Sequence, residues 1–205
     1  MRKTIIVTAL LATAIAAVAP RALEAQAERA SDSLERAFAA DGRLRMDLGA
    51  GEYRITGSEA NRIRLDWSVR NPDDLARVRV KVDVHGRDAA ITTSGPRNGF
   101  TMAVRVPARA DLHVRLTAGE LAIEGVEGNK DVESYAGELR IDVGRPEDYS
   151  RVDASVWVGE VRAAPYHAVK EGLFRSFKWS GKGPYRLHAA LKAGEIRLYS
   201  KSASR

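Results

Sequence analysis

Four histidines, His85, His113, His167 and His188, are the side chains of this 205-residue chain best suited by type to bind a transition metal or pass a proton near neutral pH. They are scattered, and none stands in a ligand spacing such as H-x-x-x-H or H-E-x-x-H. His85, His113 and His188 lie in or beside alternating segments and read as strand-face residues. Adjacent carboxylates occur at Asp73-Asp74 and Glu147-Asp148. A carboxylate pair held about 5–10 Å apart in a cleft could cleave a glycosidic bond. Both pairs follow turn chemistry, Asn71-Pro72 and Gly144-Arg145-Pro146, and read as loops. Gly181-Lys182-Gly183-Pro184 lacks the upstream glycine and the Ser/Thr of a phosphate loop, and reads as a hairpin turn. No G-x-S-x-G elbow is present. No catalytic residue, metal site or cofactor follows, and the chain reads as a non-enzyme.

Aromatic side chains offer a different chemistry. Phe174, Phe177, Trp179 and Tyr185 fall close together, interleaved with Arg175, Lys178, Lys182 and Arg186. Exposed, these rings could stack on sugars or pack on a partner. Alternatively, Phe174 and Phe177 close the open end of a stack of strands, which must be capped or it extends by edge pairing. Trp157 precedes a repeated motif and could lie on the outer face.

That motif is the most informative feature. Gly51-Glu52, Gly119-Glu120, Gly137-Glu138, Gly159-Glu160 and Gly194-Glu195 each open a Gly-Glu-apolar-x-apolar segment. Successive glycines are 68, 18, 22 and 35 residues apart, so the short intervals suit one coil each and the long ones must hold extra strands. Glycine takes a tight corner cheaply. The apolar pair after Glu shares the inward face, and stacking such strands builds a column that no single repeat could bury. Outward, the glutamates would line up at about the inter-strand spacing, where like charges repel. A bound Ca²⁺ could relieve this, but Arg54, Arg140, Arg162 and Arg197 stand two residues after four of the five glutamates. A solvated charge ladder is the simpler reading. The second copy carries Ala122 in place of the arginine.

The elements that must position these residues are strands. Residues 43–48, 62–70, 77–85, 101–106 and 112–116 alternate apolar with polar, the signature of half-buried strands. Turn chemistry separates them. The expected fold is all-β: a short single-domain β-solenoid over residues 41–200, with a tail at 201–205. Leu34, Ala37 and Phe38 at helical spacing, behind a weak capping pattern at Asp32 and Glu35, predict a small helix over residues 28–40.

Residues 1–27 have another character. Arg2 and Lys3 precede an apolar run over 4–18 and an Ala25-Gln26-Ala27 cleavage pattern. The run is short of the roughly 20 residues that span a bilayer core. A cleaved signal peptide is expected, placing the mature protein in the periplasm or outside the cell, soluble and not membrane-spanning. Arg2, Lys3, Arg21 and Glu24 leave with it, a net of +2, so the formal charge of +6 falls to +4. The chain has no cysteine. That excludes disulfides, Cys-ligated zinc, iron–sulfur clusters and a thiol nucleophile, and argues against a lipoprotein anchor. No basic block of the nucleic-acid-binding kind is present.

The five repeats resemble those of the exported adhesin-type, or Toastrack-type, domain family, whose members carry recurrent Ser/Ala-Gly-Asp/Glu-apolar-x-apolar strands. Residues 177–191 resemble that family's closing segment, and the resemblance covers about residues 40–200. It implies a β-helix-like stack and no catalytic residues to carry over. Two departures stand out: the first repeat is far from the second, and Val158 replaces the small residue before Gly159. The expected function is an exported, non-enzymatic, adhesin-like protein that binds or scaffolds at the cell envelope, its partner a glycan or protein of the envelope or surface. The alternative is an accessory domain in envelope-stress sensing, and a glycan-active enzyme is a distant third.

Overall fold

The computed structural model describes residues 30–201. The signal peptide expected over residues 1–27 lies outside them, as do residues 202–205 of the expected tail. Twelve strands lie among the described residues: β1 (Ala30–Ala37), β2 (Gly42–Leu48), β3 (Gly51–Ser58), β4 (Arg62–Val69), β5 (Arg79–His85) and β6 (Asp88–Ser94) come first. β7 (Phe100–Pro107), β8 (Ala110–Glu124), β9 (Lys130–Asp142), β10 (Tyr149–Ala163), β11 (Ala168–Ser180) and β12 (Tyr185–Tyr199) follow. All twelve belong to one sheet. Asp73-Asp74 and Glu147-Asp148 sit in short 3-10 turns at Pro72–Arg77 and Pro146–Asp148, as their turn chemistry predicts.

The long strands bend, so that each has two arms. β2 and β3 are the two arms of one such coil, pairing in parallel with the first and second arms of β8 (Leu44 beside Leu112, Gly51 beside Gly119). β6 and β7 pair with β2 and β3 in the same way. From β8 the parallel stack continues through β9, β12 and β10. The last strand in sequence therefore lies between the third and fourth repeats. Antiparallel strands finish the ends: β11 on β10, β5 on β6, β4 on β7, and β1 on β4. The 68-residue interval thus holds four strands, one coil among them, and the 35-residue interval holds β11.

The five glycines form a single column in the order Gly51, Gly119, Gly137, Gly194, Gly159. At Gly137 φ is +125°, a region closed to other residues, and a Cβ there would overlap the Gly119 carbonyl. The corner therefore demands glycine both for its backbone and for the closeness of its neighbour.

Alternation supplies the core. On the second arm Leu121, Leu139, Ile196 and Val161 stack inward, followed by Ile123, Ile141, Leu198 and Ala163. Val114, Val132, Ala189 and Ala154 do the same on the first arm. A large apolar side chain buried this way contributes about 1.5–3 kcal/mol relative to exposure. Slipping one strand by a residue would turn its whole set to water, which fixes the register.

The helix expected over 28–40 is not formed. Residues 30–37 are β1, an edge strand running antiparallel to β4. A helix this short is marginal alone. As a strand the segment gains a ladder along β4, packs Leu34 against the core and pairs Glu35 with Arg62 across the strands at 2.9 Å. The 181–184 turn also differs from a hairpin. β11 and β12 do not pair; β10 lies between them, and the turn crosses its start, with the Gly181 N–H donating to the Ser150 carbonyl.

Candidate functional site

The outward face of the second arm carries the glutamates in the order Glu52, Glu120, Glu138, Glu195, Glu160. Arginines stitch them together. Arg140 lies 2.6 Å from Glu120 and 3.3 Å from Glu138; Arg197 lies 3.6 Å from Glu138 and 2.8 Å from Glu195. Arg162 pairs with Glu160 and stands 3.4 Å from Glu195. Glu138 Oε1 and Arg140 Nε are shielded from water yet out of line for a hydrogen bond, so their contact is ionic. Each arginine neutralises its own glutamate and a neighbour's, which is the work a cation would do. Where Ala122 interrupts the pattern, Arg54 turns to Glu124 at 3.1 Å.

A second row crosses the first arm: Arg45, His113, Asp131, His188, Asp153. His113 Nδ1 is 2.9 Å from Asp131 Oδ2. Burial pushes the Asp131 carboxyl up, but Arg115 and the two histidines outweigh it and hold it below its usual range. Asp131, Glu133 and His188 could bring ligand atoms within 4.8 Å of one another. Arg115 already spans both carboxylates, 3.3 Å from Asp131 and 3.2 Å from Glu133. The histidines are strand-face residues, as read, but their convergence on one carboxylate escapes a search for local spacings. The signal is position within the repeat, since each member of the row stands six residues before a column glycine.

The third row runs along the corner itself. Two residues before the glycines stand Thr117, Tyr135, Lys192 and Trp157 in spatial order, and Phe174 of β11 continues the line beside Trp157. Tyr135 is 63% exposed, Trp157 57% and Phe174 76%. Lys192 Nζ lies 4.9 Å from the Tyr135 ring centroid and 5.3 Å from that of Trp157. The Trp157 and Phe174 centroids are 6.2 Å apart. Val158 and Leu173, also exposed, flank the ridge.

The four rings grouped by sequence are parted by the fold. Phe174 points to water. Phe177 is buried and Trp179 half-buried, with Tyr166 packed 5.5 and 4.9 Å from their rings. These three close the β11 end of the core. Tyr185 packs edge-on against buried Tyr149 at 6.3 Å. Capping therefore falls to Phe177 and Trp179, while Phe174 joins Trp157 and Tyr135, which sequence proximity did not connect.

At the start of β9, away from the ridge, Lys130 is buried and donates to the Tyr149 hydroxyl at 2.7 Å and to the Gly128 carbonyl at 3.4 Å. Burial pulls its ammonium down to about 8. Among the described residues no helix is long and apolar enough to cross a membrane.

No protein-family model and no curated protein matches the chain. Among solved structures, a candidate cell adhesion protein from Clostridium sporogenes aligns at TM-score 0.56 and 14% identity, covering 84% of this chain and all of that one. A candidate adhesin from Parabacteroides merdae aligns at TM-score 0.29 and 11% identity, over 55% of this chain and 58% of its own. The first likeness establishes a shared fold and nothing beyond it; the second is too distant to bear on the fold.

Proposed function

We propose that this chain is a short β-solenoid that serves as an exported, non-enzymatic, adhesin-like protein, binding or scaffolding at the cell envelope through its corner ridge. The observation that carries this reading is the row of exposed Tyr135, Trp157 and Phe174. Inward side chains are committed to the core, and the glutamates of the outer face from Glu120 to Glu160 are paired with arginines. The ridge presents large rings to water along one corner, where Trp157 and Phe174 adjoin exposed Val158 and Leu173, and such surfaces mark interaction sites. Envelope placement rests on the leader at 1–27 and on the Gly-Glu repeat. The adhesion role named for the Clostridium sporogenes structure is extended to this chain only as part of the proposal.

Co-sedimentation with isolated bacterial envelopes tests it. The wild-type protein should pellet, and the double variant W157A/F174A should stay in the supernatant with an unchanged melting temperature. Equal pelleting of the two proteins would overturn the ridge as the binding surface.

A further inference from the structure

We infer that the ridge takes a carboxylate-bearing polysaccharide, with sugar faces on Tyr135 and Trp157 and an acidic group on Lys192. The inference rests on the proposed function and names its ligand class. Three observations carry it.

Within the ridge, Tyr135 stands apart from the Trp157–Phe174 pair, with Lys192 between Tyr135 and Trp157. Tyr135 and Trp157 stand on β9 and β10 with β12 between them, so their positions are about 9.5 Å apart at two inter-strand spacings. That separation lets an extended sugar chain lay alternate rings on alternate platforms. The C–H face of a pyranose is apolar while its edge carries hydroxyls, which suits a ring with polar neighbours.

Lys192 is held between the platforms by its contacts with both π-faces. Among the described residues it has no carboxylate within ion-pair distance. Most arginines on the neighbouring faces are spoken for: Arg115, Arg140, Arg162 and Arg197 all have carboxylate partners. The ammonium keeps its donors for an anion arriving over the rings.

The same cation disfavours a protein partner. Interface cores are depleted of lysine, because an apolar contact would strip the ammonium of water without replacing it. A uronate carboxylate replaces that hydration with a charge-assisted hydrogen bond.

Affinity electrophoresis through gels containing polygalacturonate or dextran tests the assignment. Polygalacturonate should retard the wild-type protein and dextran should not. W157A and K192M should each weaken retardation about tenfold, the effect of losing one central contact. K182M, which removes one positive charge far along the 181–184 turn, should behave as wild type. Absence of retardation, or equal losses in K182M and K192M, would overturn the ligand class, the latter by showing that net charge alone acts. If polygalacturonate fails while W157A/F174A still abolishes envelope pelleting, the ligand class falls and the ridge stands. If envelope pelleting survives that double variant, the ridge reading itself falls.

Discussion

Gly194 lies in register beside Gly137, and the Gly137 carbonyl fills the space that a Cβ on Gly194 would need. This contact inserts the final strand into the middle of the stack, and the column of glycines sets how closely every coil approaches the next. G194A should therefore be severely destabilising, by about 2–5 kcal/mol, from strain at φ +132° together with the backbone clash. Gly125 offers the control: its φ is +61°, but a Cβ there meets nothing. G125A should cost only about 1–2 kcal/mol. Urea denaturation of both variants measures the difference.

The arginine–glutamate zipper should be weak link by link. R197Q removes the pairs with Glu138 and Glu195, in which the arginine side chain is 42% exposed and each glutamate 26%. An expected loss of about 0–1 kcal/mol, smaller still in 0.5 M salt, follows from screening. Adding Ca²⁺ should leave the wild-type melting temperature unchanged, because the arginines already neutralise the row from Glu120 to Glu160.

Lys130 makes stability rise with pH. Its ammonium titrates near 8 in the folded protein and at its ordinary 10.5 when unfolded. Between those values the unfolded chain binds more protons, so raising pH favours the fold. Burial of the charged form is a full penalty below pH 8, of roughly 3 kcal/mol at most, and is relieved on going upward. The gain should show between about pH 8 and 10. Above that, Tyr53 and Tyr166, whose hydroxyls burial pushes up to about 12, oppose it: their unfolded forms ionise first. In K130M the rise from pH 8 to 10 should vanish in denaturant titrations.

The two phenylalanines of β11 should separate cleanly. F177A opens the capped end of the core and should cost about 3–5 kcal/mol. F174A removes a ring that faces water and should stay within about 0.5 kcal/mol of wild type. Thermal melts of the pair distinguish cap from ridge.

Strand alternation and the Gly-Glu repeat made the core legible, because inward positions recur with period two whatever the order of the coils. The order itself was not legible. Nothing local to residues 185–199 says that they enter between β9 and β10. The 28–40 segment misleads because Leu34, Ala37 and Phe38 satisfy helical spacing. Its outcome is decided instead by the free edge of β4, a tertiary fact. The site was hidden for the same reason. Tyr135, Lys192 and Trp157 are far apart in sequence and become neighbours only through register. Counting two residues back from each column glycine would have gathered them.

The most direct test follows Trp157 itself. With Trp67 and Trp179 replaced by phenylalanine, Trp157 is the reporter on the ridge, and its emission can be quenched by acrylamide. Isolated envelopes should shield it, lowering the quenching constant and shifting emission to the blue as the ring is covered. If the protein pellets with envelopes while Trp157 stays as open to acrylamide as in buffer, binding occurs elsewhere and the ridge is not the adhesive surface.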